Sequence, residues 1–332
     1  MRFGVIPAHG PQHLDVATEQ VRLCEDLGID SIWIEEHHAA GPYWPTPLLA
    51  LAALAGHTEK LILGTNVLIL PLYDPVHVAE QMAVLDILTG GRMVLAAALG
   101  DSAEEFAMFR VPADRRGKAF EEQLQIIRSL WRGEQLDFRG KFYQYRGIRL
   151  ATPPAEGGPP IWVGGWGPRQ LERAARLGDA WFPGPVADLP GVIERLEVYE
   201  RHVRERGENP DSRTHPLTRD VVVAEKAEEA WELAERDVLP SYRENYLNSQ
   251  HPLVGQGKGR KLEGLRELAK DRILIGDPDA IIEEVLRTIR ETRTNHLIFR
   301  TKLPGVSAEA ITRMIRLLGQ EVVPALRREL AS

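Results

Sequence analysis

The strongest constraint on this chain is an alternation repeated along its whole length. Short apolar runs recur at residues 3–6, 31–34, 61–65, 93–98, 161–164, 180–182, 221–224 and 296–299. Between them stand longer segments of helical period, at 15–27, 47–57, 76–88, 118–131, 168–177, 192–206, 227–247 and 279–292, and a last one at 308–330 closes the chain. Runs that are apolar throughout suit strands covered on both faces, as in a parallel sheet. The joints repeat too: "EDLGIDSIWI" and "ARLGDAWFP" each place a glycine at a helix end just before a strand. Strands alternating with helices require right-handed crossovers, and eight is the number that closes a barrel. The expectation is α/β, a (β/α)8 TIM barrel forming a single domain over residues 1–332. A doubly wound open sheet is the weaker reading, because it usually has fewer strands.

Two segments exceed a minimal barrel. After the fourth helix, residues 133–160 alternate around "FRGKFYQY" and then run into a Pro/Gly stretch, which reads as a hairpin and linker. After the seventh strand, residues 248–268 are rich in glycine and polar side chains and read as a mobile lid. No strand precedes Gly255, Gly257 and Gly259, so a nucleotide-binding loop is not expected there.

Composition narrows the function classes. With 43% hydrophobic residues the chain can fill a large core, and 41 basic against 48 acidic residues give a net charge of −7. The charges are interleaved without a basic stripe, which argues against nucleic acid as a partner. Cys24 is the single cysteine, so neither an internal disulfide nor a cysteine zinc cluster is available. No apolar run is long enough to cross a bilayer, and "MRFGVIPAHG" lacks the pattern of a signal peptide. The expected location is cytoplasmic, away from membranes.

In a barrel of this kind the working face is formed by the C-terminal ends of the strands. There the second strand runs into Glu35-Glu36-His37-His38. The first delivers His9, the third Thr65 and Asn66, the fourth Gly100 and Asp101, and the last Arg300 and Thr301. Adjacent histidines on extended chain point to opposite sides, so one of His37 and His38 faces the mouth. The histidine spacing of zinc proteases is absent, as are a serine-hydrolase elbow and a Walker A loop, and no metal is expected. After the fifth strand comes "VGGWGPRQ". Gly164 and Gly165 permit close backbone approach, Pro168 suits a helix start, and Arg169 adds charge. Together these fit either an anion site at a helix N-terminus or a plain tight turn.

The ordered landmarks Glu36-His37-His38, Gly64-Thr65-Asn66, Leu70-Pro71 with Asp74-Pro75-Val76, and Leu85-Asp86 with Gly90-Gly91-Arg92 resemble the bacterial luciferase-like, flavin-dependent oxidoreductases. "IWVGGWGPRQLERAARLGDAWFPG" and "LIGDPDAIIEEVLRTIRETRTNHLIFR" extend the likeness over nearly the whole chain. The resemblance implies a (β/α)8 barrel with FMN, or the deazaflavin coenzyme F-420, at its mouth. It implies His37 and Glu36 as catalytic groups, with His37 exchanging the proton and Glu36 orienting it or stabilising its charged form. Thr65, Asn66 and Val67 would lie against the flavin ring, with a cis peptide among them. Gly164, Gly165, Trp166, Gly167 and Arg169 would hold the phosphate. His9, His38, Tyr43, Trp44 and Asp101 would line the substrate pocket.

One departure stands out: Leu99 occupies a position where many relatives carry an arginine reaching the phosphate. The leading expectation is a two-component monooxygenase that uses reduced FMN and O2 on a small organic substrate, fed by a separate NAD(P)H:flavin reductase. The first alternative is F-420-dependent hydride transfer, and the second is a non-catalytic flavin-binding homologue. The resemblance also implies a homodimer or larger homo-oligomer.

Overall fold

The computed structural model describes residues 1–8, 10–38, 43–112, 114–244 and 264–331. His9 and most of the expected lid at 248–268 lie outside the described residues. Twelve strands are present among those described: β1 Arg2–Val5, β2 Ser31–Ile34, β3 Ile62–Thr65, β4 Leu68–Ile69, β5 Met93–Ala98, β6 Leu136–Arg139, β7 Gln144–Ile148, β8 Ile161–Gly164, β9 Ala180–Phe182, β10 Pro216–Val223, β11 Ile273–Gly276 and β12 His296–Arg300.

The main sheet runs β11-β10-β12-β1-β2-β3-β5-β8-β9, with all pairings parallel. The Thr218 N–H donates to Pro183 O at 3.3 Å and joins β10 to the end of β9, which closes the ring. The eight barrel strands are therefore β1, β2, β3, β5, β8, β9, β10 and β12. Helices Leu14–Asp26, Pro47–Ala55, Pro75–Thr89, Arg116–Trp131, Pro168–Leu177, Leu189–Glu205, Pro278–Thr292 and Ala308–Leu317 belong to the outer layer. β6 and β7 form the antiparallel hairpin expected within 133–160.

The seventh barrel strand differs from the reading at 221–224. β10 starts at Pro216 and contains Thr218, Arg219 and Asp220, all buried. These polar residues hide the strand from a hydropathy reading. β10 is also long enough to pair twice. Its first five residues match β12, and residues 220–223 match β11, a ninth main-sheet strand not read from the sequence. The helix expected at 227–247 is broken: Ala227–Leu233 is α-helical, Ala234–Val238 is a π turn, and Leu239–Tyr242 is again α-helical. The last helix has a similar π turn at Leu318–Val322.

Two apolar layers result. The larger lies between strands and helices; the smaller fills the barrel interior with Ile6, Trp33, Val94, Ala96, Trp162, Ala180, Phe182 and Ile298. Trp33 stacks on Trp162 at 4.9 Å and contacts Phe182 at 5.5 Å. So large a plug requires small neighbours. A Cβ on Gly64 would fall 2.2 Å from Trp33 Cζ3, and one on Gly4 would fall 2.8 Å from Trp33 Nε1. Replacing Gly64 by alanine should therefore overpack the barrel and cost about 1–3 kcal/mol. A lowered midpoint in thermal unfolding, with the circular dichroism of the native state retained, is the expected result.

Candidate active site at the barrel mouth

A cavity of about 520 Å³ opens at the C-terminal ends of the strands. It gathers residues from β4, β5, β8 and β9 and from the loops that follow β2, β3, β5, β8 and β9. Glu36, His37, Asn66, Val67, Asp101, Gly164, Gly165, Trp166, Gly167 and Arg169 all line it. Thr65, His38, Tyr43 and Trp44 do not.

Glu36 organises one wall. It is 3% exposed, and its carboxylate is fully engaged. Oε1 accepts from His38 Nε2 at 2.7 Å and from the Tyr73 hydroxyl at 2.5 Å, and Oε2 accepts from the Ile69 N–H at 2.6 Å. Glu36 therefore orients His38 and the β4 segment, not His37, as the expected pairing had it. The two histidines diverge: His37 is exposed to the cavity and meets the Tyr43 ring edge-on at 4.5 Å, whereas His38 is buried against Phe109. The bond from Glu36 holds the His38 imidazole above its ordinary range, against the opposing effect of burial. Burial, and then the Glu36 charge, push the Tyr73 phenol up.

Thr65 acts beneath the cavity. Its hydroxyl donates to Ala96 O at 2.7 Å and accepts from Ala96 N at 3.0 Å, so a side chain completes the β3–β5 ladder. The next bond, Asn66–Val67, is cis, and the chain then returns to β5 as β4. Trp44 is part of the outer apolar layer, and its indole N–H is buried without a partner.

The opposite wall is the loop after β8. Gly165 has φ 130°, and a Cβ there would meet Gln170 Cγ at 2.3 Å. Gln170 Nε2 donates to Gly164 O at 3.0 Å, and Trp181 Nε1 donates to Gly165 O at 2.8 Å, so the loop is held from two sides. Helix Pro168–Leu177 starts there, with Arg169 in its first turn. Arg173 also lines the cavity, but its guanidinium is engaged with Glu121 at 2.7 Å and Gln170 at 2.9 Å.

Sequence reading passed over Glu105, Asp220 and Tyr242, and it placed Glu35 and Arg300 at strand ends without pairing them. Glu105 lines the cavity and accepts the His38 backbone N–H at 2.9 Å. Its position was legible as the fourth residue of Ser102-Ala-Glu-Glu105, a helix-start pattern in which Ser102 Oγ accepts from the Glu105 N–H at 3.2 Å. Glu35 also reaches the cavity and pairs with Arg300 Nε at 2.8 Å, while Arg300 Nη1 pairs with Asp220 at 3.0 Å. Tyr242 donates to the same Asp220. Burial raises the Asp220 carboxyl despite the nearby Arg300. Nothing local in the sequence links these four residues. Among the described residues no cluster of side chains is arranged for a metal ion.

The walls suit a flat, phosphate-bearing coenzyme. Asn66 Nδ2 is a buried donor without a partner in the structure, placed in a residue that lines the cavity. The glycine loop and helix start lie across from it, where an anion is favoured. Asn66, Val67 and Trp166 would hold a ring system, and Gly165, Gly167 and Arg169 a phosphate. Leu99 lines the cavity and brings no charge.

Comparison with known proteins agrees on the family and divides on the coenzyme. A family model described as luciferase-like monooxygenase matches residues 1–296. An F-420-dependent glucose-6-phosphate dehydrogenase of Microbacterium testaceum is 27% identical over 319 residues, covering 93% of this chain and 92% of that protein. Among solved structures, a monooxygenase of Streptomyces bottropensis superposes with a TM-score of 0.84 at 23% identity, covering 98% of this chain and 99% of the other. The oxygenating constituent of 3,6-diketocamphane monooxygenase of Pseudomonas putida, in complex with FMN, gives 0.81 at 22% identity, covering 98% of both chains.

The Glu36–His38 pair makes a pH prediction. A histidine whose folded pKa is raised contributes stability that is present below its unfolded value, near 6.5, and lost as pH rises through the folded value. Glu36→Gln should lower the His38 pKa, read by NMR titration. The gap in unfolding midpoint between the two proteins should be widest below pH ~6.5 and narrow as pH rises above the folded value.

Proposed function

The chain belongs to the luciferase-like monooxygenase family, a family of oxidoreductases, and from that premise we propose that it is a monooxygenase acting with reduced FMN and O2 on a small organic substrate. The observation that carries this reading is the compact anion end of the cavity. Among the described residues lining it, the arginines are Arg169 and Arg173, and Arg173 is already paired with Glu121. One guanidinium and one helix start match the charge of a single phosphate monoester, the terminus of FMN.

When bound, the reduced flavin supplies the electrons that activate O2. The chain's own residues do the rest. Asn66 offers its amide donor to the ring edge. Trp166, Val67 and Ile69 present apolar surface that limits water in the cavity. His37, exposed to the same cavity, moves the proton, because imidazole is the side chain that exchanges protons near neutrality. Glu36 is a positioning residue that acts through His38, Tyr73 and the β4 backbone. A separate reductase delivers the reduced FMN. The homo-oligomer implied by the resemblance is supported by Leu49, Val84, Ile87 and Leu88, exposed on helices Pro47–Ala55 and Pro75–Thr89, where a second copy would cover them.

A second reading is favoured by the curated relatives: hydride transfer with F-420. Leu99 brings no charge to the phosphate end, and the exposed cations Arg110, Arg115 and Lys118 make a basic row in sequence around the start of helix Arg116–Trp131, whose Gly117 packs against Arg173. Such a row would suit a longer anionic tail.

Anaerobic titration with reduced FMN and with reduced F-420 separates the two. Tight FMN binding with weak F-420 binding is expected, and the reverse preference would transfer the protein to hydride chemistry. In His37→Ala, turnover should fall by at least 10²-fold, the scale of a lost acid–base group, while coenzyme affinity stays within a few-fold. Unchanged turnover would remove His37 from its role.

A further inference from the structure

The loop that follows β9 walls part of the mouth without a frame of its own. Gly184 and Pro185 line the cavity. They stand beside the glycine loop, because Phe182 at the end of β9 is the register partner of Gly164 at the end of β8. Among the described residues no backbone bond closes within 183–188. The loop is held instead from β10 and from the two residues ahead of β11. Pro183 O accepts the Thr218 N–H at 3.3 Å, and the Leu189 N–H donates to Asp271 O at 2.7 Å. Arg272 Nε donates to Val186 O at 2.8 Å, and Arg219 Nη1 donates to Ala187 O at 2.5 Å. We propose that Arg219 is a positioning residue that acts through the Ala187 carbonyl to set where Gly184 and Pro185 stand at the mouth. Its bearing on the coenzyme rests on the coenzyme reading of that cavity.

Arg219 is not among the residues that line the cavity. It is the register partner of Phe299, which packs in the layer between strands and helices. Its side chain therefore leaves the sheet on the outer face, behind the loop. Only 2% of the residue is exposed. It has no carboxylate within ion-pair distance among the described residues, and Nη2 is buried without a partner. Burial presses its pKa down to about 10 against the opposing effect of Tyr242, and the neighbouring Arg272 adds to the fall. A guanidinium removed from water with so few partners does not serve stability, and an apolar side chain of similar size would pack there at lower cost. What such a side chain cannot supply is the bond to Ala187.

The consequence runs through that one carbonyl. Ala187 is 1% exposed, and its oxygen accepts no backbone N–H among the described residues. Without the guanidinium it is a buried acceptor with no donor, and it regains a partner by turning toward water. That turn displaces the chain between Pro183 and Leu189, and Gly184 and Pro185 move with it.

The test compares Arg219→Met, which keeps most of the volume and removes the donors, with Arg219→Lys, which keeps a charged donor able to meet a carbonyl. Hydrogen–deuterium exchange of the free protein reads the loop. Arg219→Met should speed exchange at Gly184, Val186, Ala187 and Asp188 and leave β1 and β2 unchanged. Its thermal midpoint should stay level or rise, because a buried charge is removed, whereas loss of a residue needed only for stability would lower it. Anaerobic titration with reduced FMN and with reduced F-420 should show affinity about tenfold weaker in Arg219→Met for whichever coenzyme the unaltered protein binds, with Arg219→Lys restoring most of it. A lowered midpoint or failure to fold, unchanged exchange in the loop, or unchanged coenzyme affinity overturns the proposal. An unaltered protein that binds neither coenzyme overturns the reading of the mouth instead, and the exchange still decides whether Arg219 holds the loop.

Discussion

The buried carboxylate of Glu36 is the contact on which the mouth of this barrel depends. It stands at the end of β2, yet its three bonds reach His38 in its own loop, Ile69 in β4 and Tyr73 beyond it. A carboxylate removed from water is unfavourable unless each lone pair finds a donor. Here the donors come from segments that must also turn sharply around the cavity. The same bonds that satisfy Glu36 fix the return of the chain after Asn66–Val67, and they turn His38 inward so that His37 faces out. Gln123 reinforces this from the helix layer by donating to Leu70 O and Tyr73 O.

The far side of the mouth relies on a different device. Arg300 lies between Glu35 and Asp220, and all three are buried. A buried ion pair adds little net stability over an apolar replacement, but removal of one member strands a charge and typically costs 3–5 kcal/mol. The group therefore fixes geometry more than it adds stability. It ties the ends of β2, β10 and β12 together across the barrel, and Tyr242 brings in the helix that follows β10. Lys302, half-buried near Glu35, has its ammonium pressed down by burial. One half of the mouth is thus built from a carboxylate collecting neutral donors and the other from a shared guanidinium.

Much of this was legible in the sequence where burial and hydropathy agree. β5, β8 and β9 carry no polar side chain and β2 only Ser31, and their bounds follow directly from the runs. The hairpin was visible because its alternation differs from that of a fully buried strand. β10 was obscured because Thr218, Arg219 and Asp220 are polar residues in a buried strand, each placed there for a partner distant in sequence. β11 was obscured because four residues ahead of the Asp277 helix cap look like a lead-in to that helix. The site followed the same division. Gly164 to Arg169 marked a tight strand-to-helix turn through local backbone chemistry, and that turn does line the cavity. The partner of Glu36 was misjudged, because the choice between His37 and His38 depends on which face the loop turns inward, and adjacent residues do not encode that.

The coenzyme question turns on the same asymmetry between local and distant charge. The anion end of the mouth is made of backbone and one uncommitted arginine, because Glu121 holds both Arg173 and Arg176. Glu121 thereby limits how much positive charge the cavity presents. With Leu99 in place of a cation on β5's exit, a phosphate must draw its stabilisation mainly from the helix start, whose effect is confined to the first turn. A compact dianion fits within that reach. A long anionic tail extends beyond it and would have to be met by Arg110, Arg115 and Lys118, which are exposed and more weakly coupled through water. On the proposed reading, coenzyme choice in this chain would therefore depend less on the residues that touch the ring than on how much charge Glu121 leaves free beside the helix start.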